Sequence, residues 1–478
     1  MEGEELDKNL HKLLRHLDSI KDTLPMTLLL LEPHNKKANT KFKEFIEKNV
    51  EEIEDEDGNK SISLEFEQSR IFDQLAKNSE ISNLAMKIIP ESLFVSLISQ
   101  YDAFLNQLLK TLFKIRPEYI NNSERELSFS QLNEFDSIET AREYVVEKEV
   151  ESVLRKSHSE HFDYLENKLT IPLRKDLPIW QTFIEITERR NLFVHCDGIV
   201  SNQYLKVCKE NKCDLTGIEL NKRLKISSDY LNNAYKCLYE LSTKLTHTIW
   251  RKLIKEDYQF ADEQLNEICY TLITNGQYSL ADILLDFACK QTKFHNDSAK
   301  NYYIVNKSLS KYLQEKTDIA KEIIESKDWS ASSDNFKLAH LILTEKFDEA
   351  YLLMKKIGQN GEVIKEHYKI WPLFYKLRKE DKFKETFKEI FKEDYTVLEV
   401  PKRPIQELIG EVIEKNPNLL EKTIKNKNAK LETVGSKTKT KVLPKKTAQK
   451  STSKKSSVTK KETNLNTKLT EITNENLN

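Results

Sequence analysis

The sequence has 478 residues, of which 32% are charged and 38% hydrophobic, and it contains only 9 Gly and 11 Pro. A chain of this length is expected to form about two to four domains. An all-β fold needs many tight turns and a phosphate-binding loop needs several glycines, and so few Gly and Pro residues supply neither. Lys, Glu, Leu and Ile instead favour helices. Composition therefore predicts an all-α protein.

Signals for a membrane or an oxidising compartment are missing from the sequence. The longest apolar run, residues 26–31, is far shorter than the roughly 18 residues that a membrane span needs. The N-terminus is too acidic and polar for a signal peptide. The six cysteines form no CxxC pair and have no histidine at zinc-finger spacing. We therefore expect a cytoplasmic protein with reduced thiols and no membrane partner.

Motifs for metals and cofactors are equally scarce. His158 and His161 lie three residues apart and, with Glu160 or Asp163, would supply part of a metal site, but no further ligand is spaced to close it. The chain contains no GxGxxG, Walker, HExxH or GxSxG motif. We expect neither a metal nor a cofactor.

The formal charge of −1 at pH 7 conceals a strong asymmetry. Residues 425–478 contain 14 Lys and 4 Glu and no aromatic residue, which leaves a balance of −11 for the first 424 residues. Such a segment buries too little apolar surface to offset its ordering entropy. It is predicted to be a disordered basic tail, either attached electrostatically to nucleic acid or simply solubilising.

The N-terminal region, residues 1–89, begins with an amphipathic helix. Apolar residues at helical spacing indicate it: Leu6, Leu10, Leu13, Leu14, Leu17 and Ile20. A second helix is predicted to end near the DEDGN turn at residues 55–59, before a short alternating stretch that suggests a strand. No chemistry can be assigned to this region.

Residues 90–255 are predicted to form a bundle of four helices. Amphipathic patterns place them over residues 92–115, 137–156, 178–198 and 227–253. Ser137 is expected to cap the second helix, with Thr140 three residues on, and Gly198 to follow the third as its C′ residue.

Residues 256–424 are predicted to form degenerate tetratricopeptide-like helical repeats. The turn and second helix of such a repeat are matched by Gly276, Tyr278, Ala281, Leu285 and Ala288. The small residue of the second helix recurs at Ala281, Ala320, Ala350 and Thr386. The intervals of 39, 30 and 36 residues lie on both sides of the 34-residue tetratricopeptide period, but none equals it. A plain helical bundle remains the alternative.

The third bundle helix contains the most informative polar cluster. Its apolar stripe leads at helical spacing from Thr187 to Asn191 and then to Val194 and His195. Buried amide and imidazole groups need hydrogen-bond partners, so this cluster should line an internal network or a cleft. A simpler role for His195, as a cation at the helix C-terminus, also fits.

The segment ERRNLFVHCDGIVSNQYL, residues 188–205, resembles the signature of HEPN domains, a small all-α ribonuclease family found in toxins and abortive-infection proteins. The family motif is an Arg, usually followed by a polar residue, with a His four to six intervening residues later. Arg190, Asn191 and His195 match it with four residues between Arg and His. The resemblance covers about a third of the chain, from Pro90 to Leu253.

The resemblance implies a metal-independent endoribonuclease that cleaves RNA through its own 2′-hydroxyl. In that mechanism His195 serves as general acid or base, Arg190 stabilises charge on the phosphate, and Asn191 orients the phosphate or His195. Asp102 on the first bundle helix is a candidate partner for Arg190, and Glu188 is another. An ordinary surface carboxylate at position 102 remains an alternative.

The expected biological role is a bacterial anti-phage defence or toxin effector. One Arg and one His supply a single proton-transfer group, so a two-fold dimer is expected to contribute the second His, as HEPN relatives suggest. The helical repeats are expected to bind a protein partner or act as a sensor. The competing hypothesis is a non-catalytic helical scaffold or a nucleotide- or RNA-binding interaction protein.

Overall fold

The computed structural model describes residues 2–54, 60–121, 127–175, 177–398, 407 and 410–411, with the backbone alone for residues 51–54, 60–63 and 121. Helices dominate this part of the chain, which confirms the predicted all-α class. The first half contains α1 (Glu2–Asn49), α2 (Phe66–Ile115), α3 (Glu118–Asn121), α4 (Phe129–Leu132), α5 (Ile138–Leu154), α6 (His158–Leu169), α7 (Trp180–His195), α8 (Asn202–Glu210) and α9 (Ser228–Leu253).

The second half of the described chain continues with shorter helices. They are α10 (Tyr258–Thr274), α11 (Tyr278–Cys289), α12 (Asp297–Leu313), α13 (Thr317–Glu325), α14 (Asp334–Leu343), α15 (Phe347–Ile357), α16 (Lys365–Ile370) and α17 (Asp381–Phe391), with 3₁₀ turns at Lys255–Asp257, Pro372–Phe374 and Leu377–Lys379. The predicted basic tail, residues 425–478, lies outside the described residues.

The chain divides into two compact units. Among the described residues, one unit comprises residues 2–25 and 87–398, and the other is built on Met26–Met86. The domain boundaries after residues 89, 255 and 424 stay predictions.

The second unit contains a small antiparallel hairpin of β1 (Glu51–Glu54) and β2 (Lys60–Ser63), in which Glu52 pairs with Ile62. The alternating stretch that suggested a strand corresponds to β2, whereas β1 was not predicted. The turn itself lies outside the described residues. In the same unit, the amide groups of Asn35 and Asn39 in α1 both donate to Asn83 of α2, at 2.7 and 2.9 Å.

The two separate N-terminal helices that the sequence suggested form one continuous helix, α1, so that prediction was wrong. Similarly, α2 begins at Phe66 and passes through Pro90, where the first bundle helix was expected to start. A proline removes one backbone donor and strains one turn, but the hydrogen bonds of the flanking turns persist. An interruption of the apolar pattern therefore did not end either helix.

The four helices predicted for residues 90–255 are present as the C-terminal part of α2 and as α5, α7 and α9. The expected capping box at Ser137 and Thr140 is present at the start of α5. Helix α7 ends earlier than predicted, with Cys196 as its C-cap and Gly198 two residues beyond. Their core is built from large side chains that are almost fully buried, among them Phe94, Leu97, Tyr101, Phe183, Tyr235 and Trp250. Four further helices of this region, the one-turn helices α3 and α4 and the longer α6 and α8, were not predicted.

A recurrent turn links three successive helix pairs after α9. Gly276, Glu315 and Glu345 each adopt a left-handed conformation, with φ of 72°, 63° and 60°. In each turn the next residue donates its N–H to the carbonyl oxygen five residues earlier, as Gln277 does to Leu272. This is the hydrogen bond of a Schellman motif.

The alanines that suggested a repeat follow these turns at a constant distance. Ala281, Ala320 and Ala350 each lie five residues after the left-handed residue and are completely buried. Thr386 is also buried, but no left-handed residue precedes α17 at this distance. Three helix-turn-helix pairs thus share one turn geometry although their spacing varies.

Within the described residues, α2 is the single helix long and apolar enough to span a membrane by length and composition. In the most apolar 18-residue window of this helix 28% of the residues are buried, and Phe94, Leu105 and Leu109 are among the buried residues of α2.

The constant position of the buried alanines gives a testable consequence for packing. We expect Ala281→Leu to destabilise the protein by about 1–3 kcal/mol, because a larger side chain overpacks a site without free volume. Chemical denaturation followed by circular dichroism measures this change. Ser279→Leu, at an exposed position of the same helix, is the matched control and should lie within about 0.5 kcal/mol of the wild type. Equal stability of both variants would contradict the prediction.

Candidate active site

All five residues singled out in the sequence line one cleft of about 560 Å³ in the first unit. The cleft is bounded by α2, α6, α7 and the start of α8. Its lining comprises Asp102, residues 154–158, His161, Glu188, Arg190, Asn191, Leu192, His195, Cys196, Ser201, Gln203 and Tyr204. The structure thus brings together residues that lie up to 93 positions apart in the chain.

The carboxylate of Asp102 joins three helices at the base of this cleft. Its Oδ2 accepts a hydrogen bond from Nη2 of Arg190 on α7, and its Oδ1 lies 2.8 Å from Nε2 of His158 on α6. Burial alone raises the pKa of Asp102, but the hydrogen bond with His158, the positive charge of that ring when it is protonated, and the charge of Arg190 outweigh burial and lower the pKa below its ordinary value. Asp102 is therefore an ionised acceptor at neutral pH.

The expected pairing of Arg190 with Asp102 is present, whereas Glu188 has no ion pair with Arg190. Glu188 lines the same cleft and burial raises its pKa. Arg190 also donates from Nη1 to Oδ1 of Asn191 at 3.2 Å. Its Nε is buried without a hydrogen-bond partner among the described residues. The guanidinium group is thus oriented by two neighbours and still has an unused donor.

His195 occupies the last turn of α7 and is exposed at the edge of the cleft. Within the described chain it has no hydrogen-bond or ion-pair partner. An internal polar network therefore does not account for this residue, and of the two environments that the sequence suggested, the cleft is the one observed. The side chain is accessible to a ligand in the cleft.

His158 and His161 were noted in the sequence only as a weak metal pair. No group of three or more metal-ligating side chains is found among the described residues. His161 is buried and neither of its ring nitrogens has a hydrogen-bond partner in the described chain. Burial, and then the neighbouring His158, lower the pKa of His161 to about 4.

A buried carboxylate on the opposite side of α7 fixes the helix that carries the motif. Glu185 accepts hydrogen bonds from Nε of Arg189 at 2.7 Å and from the hydroxyl groups of Tyr204 and Tyr230, both at 2.6 Å. These bonds join α7 to α8 and α9. Such a fully satisfied polar network restrains the position and rotation of α7.

The turn after α7 is held by a glycine and an arginine. Gly198 has φ of 73°, and a Cβ there would lie 2.7 Å from the ring of Phe193. Arg223 donates to both oxygens of Glu91, at 2.7 and 3.2 Å, and to Asp197 at 2.9 Å. These contacts fix where the chain leaves His195.

The chain matches no family model, no curated protein and no solved structure.

The buried, unpartnered imidazole of His161 predicts a pH-dependent stability. In the unfolded chain His161 takes up a proton near its ordinary pKa of 6.5, but in the folded protein only near 4. The unfolded state therefore binds more protons between these values, and stability falls as the pH is lowered through this window. The loss is at most about 1.4 kcal/mol per pH unit.

Denaturant unfolding of wild type and His161→Phe between pH 7 and 4 tests this expectation. Phe fills a similar volume, and the variant has every other titrating group of the wild type. The difference between the two curves of unfolding free energy against pH therefore reports on His161. We expect His161→Phe to gain stability relative to the wild type as the pH falls. A difference that stays constant over this range would contradict the prediction.

Proposed function

We propose that this protein is a metal-independent endoribonuclease that cleaves RNA by attack of the 2′-hydroxyl. The observation that carries the proposal is the meeting of Arg190, Asn191 and His195 in one cleft, with Arg190 oriented by Asp102. The resemblance of residues 188–205 to the HEPN signature supports the same chemistry.

RNA carries its own nucleophile, so the protein needs to supply charge stabilisation and proton transfer. In the proposal, Arg190 binds the scissile phosphate through donors that Asp102 does not occupy. Asn191 holds the guanidinium group in place or contacts the phosphate itself. His195, which is exposed and unpartnered in the described chain, exchanges a proton with one of the reacting oxygens.

The charges at the rim of the cleft favour a nucleic-acid backbone. Arg155, which also pairs with Glu151, and Lys156 line it together with Arg190. Arginine and lysine contacts to phosphate position a nucleic acid without reading its sequence. The acidic residue closest to Arg190, Asp102, is already bound to cationic or hydrogen-bond-donating partners.

In the cell, we propose a cytoplasmic effector of anti-phage defence or a toxin, on the strength of the HEPN resemblance. The helical pairs after residue 256 would bind a protein partner. Several large apolar side chains are exposed there, including Leu352, Ile370 and Tyr375. Exposed apolar residues of this size are typical of interaction surfaces when they cluster.

Purified protein and single-stranded RNA test the activity directly. We expect cleavage in the presence of a metal chelator, products that end in a 2′,3′-cyclic phosphate, and no cleavage at a 2′-deoxyribose. Arg190→Ala and His195→Ala should each lower the rate at least about 100-fold, because general acid–base catalysis and electrostatic stabilisation each contribute this much.

Two matched controls separate catalysis from folding. Circular dichroism and thermal melting of His195→Ala should match those of the wild type, because His195 is exposed. His367→Gln changes an exposed histidine of α16 that does not line the cleft, and it should cleave at the wild-type rate. Dependence on magnesium, products with a 5′-phosphate, or full activity of His195→Ala would refute the proposed mechanism. A wild-type protein that cleaves no RNA would favour the non-catalytic scaffold.

The proposal includes a two-fold homodimer in which the segments from Arg190 to Gly198 face each other. Val194 and Ile199 support it, since both are exposed apolar side chains on either side of His195. In a two-fold symmetric contact the same residues of both subunits are buried, so Val194 and Ile199 would each be covered in both copies. We expect sedimentation to show a dimer, and Val194→Glu with Ile199→Glu to yield a monomer. A wild-type monomer at concentrations that give full cleavage would contradict this arrangement.

A further inference from the structure

We propose that His158 is a second proton-transfer residue of this cleft, acting as the general base on the 2′-hydroxyl while His195 acts as the general acid on the leaving 5′-oxygen. The inference rests on the proposed ribonuclease function and adds a role to a residue outside the HEPN-like motif. It places both proton-transfer groups in one subunit.

Hydrogen bonding to Asp102 determines which nitrogen of His158 is free. Asp102 is ionised and can only accept, so the 2.8 Å contact requires a proton on Nε2 of His158. In the neutral imidazole the other nitrogen, Nδ1, is then the acceptor. A ring held in this tautomer by a carboxylate is arranged to take a proton, which is the arrangement of a general base.

Packing holds the ring of His158 in place. Its centroid lies 5.6 Å from that of Phe183 and 5.1 Å from that of His161, both in edge contacts, and 6.2 Å from that of Tyr101. Its backbone begins α6 directly after Ser157, whose hydroxyl and Glu160 form a capping box. The side chain retains 11% exposure while it lines the cleft. A fixed ring at the wall of a cleft loses little entropy when it binds substrate.

Five ionisable groups surround His158, one of which is Tyr101 on α2, a phenol whose pKa is raised by burial. Asp102 on α2 and Glu188 on α7 are acidic, and Arg190 on α7 and His161 on α6 are basic. Asp102 is the group in direct contact. The shared carboxylate thus couples the position of the proposed base to that of the phosphate-binding Arg190.

The proposed step is balanced without a cofactor. Nδ1 of His158 takes the proton of the 2′-hydroxyl as O2′ bonds to phosphorus. The bond between phosphorus and O5′ breaks, and His195 gives a proton to O5′. The products are a 2′,3′-cyclic phosphate and a 5′-hydroxyl, and water returns both histidines to their starting protonation states.

A substrate whose leaving group departs without protonation distinguishes the two histidines, because it makes the general acid dispensable but still needs the general base. The substrates are one RNA and the same RNA with sulfur replacing the bridging 5′-oxygen at the scissile phosphate. His158→Gln retains an amide donor for Asp102 but cannot take a proton, and it should cleave both substrates at least about 100-fold more slowly than the wild type. His195→Gln should lose as much on the ordinary RNA and recover to within about tenfold of the wild type on the sulfur substrate.

A third variant separates proton transfer from a merely structural role. In His158→Gly, free imidazole in the buffer should restore cleavage at least about tenfold, because the base is returned without a covalent link. His367→Gln remains the control, and circular dichroism verifies folding of each variant.

Each alternative outcome has a definite meaning. Cleavage by His158→Gln within about threefold of the wild type, its recovery on the sulfur substrate, or absence of imidazole rescue would overturn the role of His158 while the ribonuclease function stands. A wild-type protein that cleaves neither substrate would instead overturn the proposed function, and this inference with it.

Discussion

A single carboxylate, that of Asp102, sets the arrangement of the cleft. It is partly removed from water, so its charge is stable only if donors replace the lost hydration. Arg190 and His158 provide them from two other helices. Because one oxygen is used for each, the carboxylate fixes the separation of α6 and α7 at this point as well as the direction of both side chains. Removing it would leave a guanidinium group and an imidazole without their common acceptor.

Helix α7 is restrained on both of its polar sides. Asp102 accepts a hydrogen bond from Arg190, and Glu185 accepts hydrogen bonds from Arg189, Tyr204 and Tyr230 on α7, α8 and α9. Hydrogen bonds to two carboxylates from different positions of one helix limit its rotation, since a rotation would have to change both sets of bonds. A catalytic site benefits from such restraint, because displacing a reacting group by about 1 Å can lower the rate about 100-fold. The restraint is compatible with the proposed function and does not by itself require it.

Features that depend on local periodicity, such as helix positions and caps, could be predicted from the sequence. Contacts between residues far apart in the chain could not. The helical spacing of Asn191 and His195 and the capping box at Ser137 are local. The pairing of Asp102 with Arg190 was predicted as one of two candidates, with Glu188 as the other, and the sequence did not decide between them. The contact of His158 with Asp102 spans 56 positions and involves a short helix, α6, whose pattern was not recognised. The same reasoning failed for α1 and α2, where prolines interrupted the pattern without ending the helix. A capping box at Ser157 was the signal available for α6.

The repeated turns show a similar division between local and distant causes. Gly276, Glu315 and Glu345 adopt the same left-handed conformation although only the first is a glycine, so the turn is enforced by packing of the helices on either side rather than by intrinsic preference. Glutamate in this conformation costs about 1 kcal/mol, which the burial of Ala320 and Ala350 against neighbouring helices must offset. The spacing between turns is free to vary, since the lengths of the helices and the loops between pairs do not affect the turn itself. A repeat can thus persist in geometry after its period in sequence has been lost.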